Sequence, residues 1–277
     1  MAQNNIWEPK RRIERGYNRA LKNITNQINV AIGETEDPYK MVRLLKQISN
    51  QKPYQEYCES LAMKMVTNVF NDSAKVWRQA ARNSSLSRDI YHAIMEEIKN
   101  PKIRLAVVEQ ISNNARLIST LPSDIADFCT TYIQEESLRG KRASDIAKEL
   151  ISLIPDKSKA RIEVIARTET SKTSTALTMA RAESLGLNWY IWRTSQDARV
   201  RKSHDHMEDV LVNWKKPPSP ERLVGQISVG NYHAGNIYNC RCYPEPVVSL
   251  DFIKWPHKVY YNGSIQTMTR KQFEEIA

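Results

Sequence analysis

Apolar residues near the start of the chain recur at intervals of three and four. Ile13, Tyr17, Leu21, Ile24 and Ile28 form one stripe, with Arg11, Arg12, Arg15, Arg19 and Lys22 mostly outside it, the signature of an amphipathic helix. Met41, Leu44, Leu45 and Ile48 predict a second helix ending before Pro53, and Leu61, Met65, Val69 and Trp77 a third. A helix over Ile90–Ile98 stops at Asn100-Pro101, and another over Ile103–Ile118 stops before Leu121-Pro122. The next begins at Ser123 and turns Ile125, Phe128 and Ile133 inward. Ser144 caps Asp145–Ile154, which Pro155 is expected to end. Lys159–Leu185 is the last helix, closed by Gly186 at its C′ position.

The period changes after Gly186. Asn188-Trp-Tyr-Ile-Trp-Arg193 is aromatic and β-branched, the composition of a strand. Lys258–Tyr261 and Ser264–Met268 flank Asn262-Gly263, the commonest two-residue hairpin turn. Between them the text is rich in turns. The pattern predicts a mostly α N-terminal body followed by a small α+β C-terminal module with a few short strands and long loops. By sequence the body spans residues 1–143 and the module 144–277, with helices over 144–185 and the α+β part over 186–277.

Glycine sharpens that division: of eight in 277 residues, five lie from Gly186 onward. Neither G-x-G-x-x-G nor G-x-x-x-x-G-K occurs, which excludes the common dinucleotide and P-loop enzymes. No run approaches the roughly 18 apolar residues of a membrane span, and Met1–Lys10 lacks the apolar core of a secretory signal. Synthesis and folding in the cytoplasm are therefore expected, with no membrane partner. The net charge of +10 favours an anionic partner such as nucleic acid. Seven of those ten charges lie before Gly186, and residues 1–30 hold six Lys/Arg against two Glu. Lys10, Arg11, Arg12, Arg15, Arg19 and Lys22 are the candidate contacts to DNA, non-specific and through phosphate.

Four cysteines add candidate chemistry. Cys58 and Cys129 stand alone in helical text, as small buried hydrophobes do. Cys240 and Cys242 are too close to suit an ordinary disulfide with each other, and a cytoplasmic disulfide framework is improbable. His and Cys are good zinc donors, and four ligands can be drawn from His204, His206, His233, Cys240 and Cys242. Their spacing matches no standard finger. The opposing reading is a small polar core that pins a loop. A nucleophile–base pair of Cys240 and His233 lacks an orienting third group. A metal nuclease built on His204, Asp205, His233 and Asn236 rests on spacing alone.

Upstream, Arg167-Thr168-Glu169-Thr170 opens a polar run that is unusual inside a helix. It forms either a solvated face or a buried network ordering the module. In the second case Arg167, Glu169, Asp197, Arg199 and His204 are expected to be mutually buried and hydrogen-bonded.

The order of these motifs carries a resemblance. Ile165-Ala-Arg-Thr-Glu-Thr170, a helix ending at Gly186, Trp192 followed by Asp197-x-Arg199-x-Arg201-x-x-His204, then Asn239-Cys-Arg-Cys242 resembles the Mu F-like head morphogenesis, or minor capsid, proteins of tailed bacteriophages. It covers about residues 145–250. The resemblance implies a non-enzymatic minor head protein with portal protein, major capsid or scaffold protein, and double-stranded DNA as partners. It implies a place in the virion, inside the capsid at the portal vertex, reached from the host cytoplasm during assembly, and a part in DNA packaging or ejection. Arg167, Thr168, Glu169, Asp197, Arg199, Arg201, His204, Asn239, Cys240 and Cys242 are then structural motif residues, with no catalytic residue. Some relatives carry Cys-x-x-Cys where this chain has Arg201-x-x-His204, a departure that counts against zinc at His204, His233, Cys240 and Cys242. The alternative is a metal-dependent nuclease or toxin-like effector using the same His/Cys cluster.

Overall fold

The structure, a computed structural model, describes residues 5–82 and 87–277. Helices come first: α1 (Arg11–Gly33), α2 (Pro38–Asn50), α3 (Lys52–Arg82), α4 (Ser87–Met95), α5 (Pro101–Ser119), α6 (Leu121–Leu138) and α7 (Ala143–Ser184). There follow β1 (Trp189–Arg193), α8 (Lys202–Asp205), β2 (Val210–Asn213), α9 (Pro220–Leu223), β3 (Tyr243–Pro246), β4 (His257–Tyr261), β5 (Ser264–Met268) and α10 (Arg270–Glu274). A mostly helical chain with a small C-terminal sheet is what the hydrophobic pattern predicts.

The chain forms two compact units, and neither is continuous in sequence. One comprises Arg11–Val66 and Glu109–Ala166; the other comprises Met1–Lys10, Thr67–Val108 and Arg167–Ala277. Helices α3, α5 and α7 each contribute to both, so the units do not follow a cut at residues 143/144.

The all-helical unit buries Tyr17, Leu21, Ile24 and Ile28 of the predicted α1 stripe and adds Ile32, while Ile13 is half-buried. Tyr17 donates to Asn114 Oδ1 at 3.2 Å, and Asn114 Nδ2 donates to the Gln110 carbonyl at 2.7 Å, so this buried amide is satisfied at both ends. Asp37 caps α2 by accepting from the Tyr39 N–H at 2.9 Å. Ser123 donates to Ser49 and Ser49 to the Ser119 carbonyl, tying α2 to the start of α6. Ile125 and Ile133 point inward with Cys129, whereas Phe128 is half-buried under Lys157 Nζ at 5.3 Å. Cys58 and Cys129 are buried free thiols, as expected, and burial pushes the Cys129 thiol up to about 12.

Pro155 does not end its helix. It lies inside the 42-residue α7 on an exposed position. The carbonyl that its missing N–H would have engaged belongs to exposed Ile151, where water can take the lost bond. Gly186 terminates α7 as predicted: its φ is +71°, and the Leu187 N–H reaches the Ala182 carbonyl at 2.9 Å.

The second unit holds a mixed five-stranded sheet in the order β3-β1-β2-β4-β5. β1 pairs antiparallel with β2 (Trp192↔Val210) and with β3 (Trp192↔Pro244), β2 runs parallel to β4, and β4–β5 is the predicted hairpin. Asn262 and Gly263 both take positive φ at its turn. β3 carries Pro244 and Pro246 and lies at the sheet edge, where a missing donor costs no ladder bond. Alternation along β1 feeds two cores. Tyr190 and Trp192, with Val210 and Val212, pack with Trp77, Ile90, Ala182, Trp214 and Met207. Trp189 and Ile191 face the opposite way, with Leu211, Val259, Met268 and Phe273.

Candidate functional site

The loop after β1 carries the first motif. Asp197 Oδ1 accepts from the Arg199 N–H at 2.9 Å and the Asp197 carbonyl from the Val200 N–H at 3.0 Å, closing the tight turn the sequence predicts. Burial works against the charge of Asp197, but the Arg199 N–H and the Arg199 and Arg241 guanidiniums outweigh it and hold the carboxyl below its usual range. The chain then enters α8, whose single turn delivers His204 into the core beneath Trp192, with ring centroids 5.7 Å apart.

Both ring nitrogens of His204 are engaged. Nε2 stands 3.0 Å from the Tyr232 hydroxyl, and that hydroxyl donates to Glu221 Oε1. Because Tyr232 has one proton and gives it to Glu221, it accepts from Nε2–H, an assignment fixed by the hydrogen-bond network. Nδ1 therefore faces the two cysteines, 3.4 Å from Cys240 Sγ and 3.4 Å from Cys242 Sγ. All three side chains are buried, at 2–3% exposure. The Cys242 thiol and, more weakly, His204 draw Cys240 toward thiolate against its burial. The Cys242 thiol is pushed up by that hydrogen bond and by burial.

α7 sets the geometry of the cysteine loop. Arg167 Nη1 donates to Asn239 Oδ1, and the Asn239 N–H donates to Thr168 Oγ1 at 2.9 Å. These contacts hold Asn239 at φ +56°, a left-handed turn that Asn tolerates. Thr175 donates to the Ala234 carbonyl at 2.7 Å. Arg201 Nη2 donates to the Tyr238 carbonyl at 2.8 Å. Thr168, Glu169, Thr170, Ser171, Thr173, Thr175 and Thr178 are all buried, so the polar run on α7 is an inward face and not a solvated one.

The five residues are not mutually buried: Arg199 is exposed, and Arg167 and Asp197 are half-buried. Asp197 pairs with exposed Arg199 at 3.4 Å and lies 3.7 Å from Arg241. Glu169 pairs with Lys172 at 3.3 Å, Arg167 with Asn239, and His204 with Tyr232 and the thiols. His233 also stands apart from the His204–Cys240–Cys242 group, the grouping of potential ligands found among the described residues. Its Nδ1 is 3.2 Å from the Tyr190 hydroxyl and its ring packs on Trp214 at 5.2 Å. Burial lowers its titration to about 4.

Tyr232 and Glu221 escaped the sequence reading, because nothing about either residue signals a partner 28 or 17 positions away. The same holds for Arg193, which donates to Glu245 at 2.6 Å and Asp209 at 2.7 Å. On α1, Arg11, Arg12, Arg15 and Arg19 are exposed and Lys22 is half-buried; Lys10, just before it, is exposed.

The module is thus a helix-anchored loop closed over a buried His–Cys cluster. Residues 130–244 match the sequence model of the family described as Phage Mu protein F like protein. That segment contains every motif residue named above and is similar to that family. A Haemophilus influenzae protein recorded as "Uncharacterized protein" is 26% identical over 275 residues. The alignment covers 95% of this chain and 58% of the relative, so the chain spans somewhat over half of that curated relative's length. No solved structure matches. Among the described residues, no helix is long and apolar enough to cross a membrane.

Proposed function

We propose that this chain is a minor head protein of a tailed phage or prophage, a non-enzymatic component of head morphogenesis. In this reading it associates with the portal vertex inside the head, contacts portal and major capsid or scaffold subunits, and assists DNA packaging or ejection. One observation carries the reading: the Mu F-like segment uses its motif residues to hold a loop, not to display them. Arg167, Thr168 and Asn239 fix the Cys-Arg-Cys turn, and His204 is enclosed with both nitrogens occupied. A nuclease would need its ligands open to a phosphodiester, whereas these are 2–3% exposed.

The direct test is composition. Heads purified from an induced lysogen should contain the protein in few copies, and it should co-purify with the portal protein after capsid disruption. Its absence from purified heads removes the proposal. The DNA contact is assigned to the exposed basic face of α1. Binding should be independent of sequence and fall steeply with salt, and an Arg11→Gln/Arg12→Gln/Arg15→Gln/Arg19→Gln variant should show a salt slope reduced by up to about four. An unchanged slope sends the DNA contact elsewhere.

A further inference from the structure

We propose that His204 Nδ1, Cys240 Sγ and Cys242 Sγ form a structural zinc site. Three observations converge on it. First, the three atoms lie within 4.8 Å of one another, wholly buried. Each sulfur stands 3.4 Å from Nδ1. Zinc held at about 2.0–2.1 Å from nitrogen and about 2.3 Å from sulfur in tetrahedral geometry separates those two ligand atoms by about 3.5 Å. Both nitrogen–sulfur separations already match those one ion would impose.

Second, the ring is oriented as a ligand. Nε2 spends its proton on Tyr232, which is itself anchored by Glu221. That leaves Nδ1 to offer its lone pair toward the sulfurs. A histidine whose far nitrogen donates into a carboxylate-anchored chain is the usual support of a metal-bound imidazole. Ser203 reinforces it, donating to the same Glu221 oxygen at 3.4 Å.

Third, the backbone is shaped to bring both sulfurs to one side. Asn239 turns left-handed just before the pair, and the Cys242 N–H donates to Cys240 Sγ at 3.3 Å. Backbone N–H to sulfur bonds support a sulfur that carries negative charge. Two thiols and an imidazole make a poor core by themselves, since packing alone is served better by apolar side chains. A thiophilic cation neutralises the thiolates and joins segments far apart in the chain. Three protein ligands leave a fourth position, and with those ligands 2–3% exposed it is closed to a phosphodiester. The site is independent of any role at the portal vertex.

The test uses the full chain. Protein purified without chelator should carry about one zinc per chain by elemental analysis, and a Cys58→Ser/Cys129→Ser variant should keep it. Metal-free wild type titrated with Co²⁺ should develop the thiolate-to-cobalt charge-transfer band and the visible bands of tetrahedral cobalt, saturating at one equivalent. Tyr232→Phe keeps all three ligands and should weaken zinc affinity about 10- to 100-fold. Cys240→Ser/Cys242→Ser should abolish the cobalt spectrum. Because that variant can lose its fold, the wild-type cobalt titration decides. No charge-transfer band in folded, metal-free wild type overturns the site, as does zinc retained in folded Cys240→Ser/Cys242→Ser protein.

Discussion

A methyl group at position 235 would stand 2.6 Å from the Cys242 carbonyl oxygen, 2.6 Å from Thr175 Oγ1 and 2.9 Å from Ser171 Oγ, on a backbone at φ +82°. The Cys-Arg-Cys loop approaches α7 this closely only because position 235 has no side chain. Gly235→Ala should therefore cost about 2–5 kcal/mol, strain and overpacking together. Gly140 has the same φ and open space around it, so Gly140→Ala should cost only about 1–2 kcal/mol. Urea unfolding of the two variants separates the effects, and equal costs would deny the close approach. His233 gives a second prediction. Its folded titration lies near 4, below the ordinary histidine value of about 6.5. The unfolded chain thus binds the proton first, and stability is present above pH 6.5 and lost as pH falls toward 4. The loss amounts to about 3 kcal/mol across that window. In His233→Gln the unfolding free energy should fall less steeply between pH 6.5 and 4; parallel curves would refute the assignment. Neither contact announces itself in the text, because a lone glycine or histidine carries no record of the distant segment it will meet.

Elements were legible wherever a period ran long enough to be counted. The stripe of α1, the Gly186 stop and the Asn262-Gly263 hairpin all follow from local chemistry that needs no tertiary partner. Pro155 shows the limit. Proline's preference against helix interiors is local, but α7 is held on both sides of it by buried residues, Leu150 and Ile154 before it and Ile162 and Ile165 after it. The polar run of α7 shows another, since its threonines and serines fit a solvated or a buried face equally until a loop some 60 residues later covers them. A further hidden contact joins Arg181 of α7 to Glu97 in the turn after α4, at 2.6 Å with both side chains buried. Arg181 Nη2 also donates to the Phe70 carbonyl, and its guanidinium lies 4.6 Å over the Phe70 ring. Glu97→Ala strands a buried cation and should destabilise by about 3–5 kcal/mol, whereas Arg181→Met/Glu97→Leu, which removes both charges, should cost far less. Chemical denaturation of the single and double variants reads the difference. A double variant as damaged as the single would show that the pair acts through packing.

The whole molecule does not divide where its composition does. Glycine, tryptophan and strand residues concentrate after Gly186, yet the core around Tyr190 and Trp192 includes Trp77, Ala81, Ile90 and Ile94 from α3 and α4. Composition reports what a segment is made of, and it cannot report which distant helix covers it. A fragment of residues 144–277 lacks those four side chains and should show no cooperative urea transition, while the full chain does. Near-UV circular dichroism equal to that of the full-length protein in such a fragment would contradict this. Net charge, by contrast, was legible at this scale, since its excess lies on helices whose exposed positions follow from the hydrophobic period.

The shared core of Trp77 and Trp192 also sets an order of events during synthesis. A ribosome adds roughly 5–20 residues per second, so Trp77 emerges about 6–23 s before Trp192 exists to cover it. For that interval the apolar face of α3 and α4 lacks the sheet, and its earlier-made partner is Trp7, whose ring stands 5.0 Å from that of Trp77. The unit therefore completes its core only once the segment from residue 167 onward has been made.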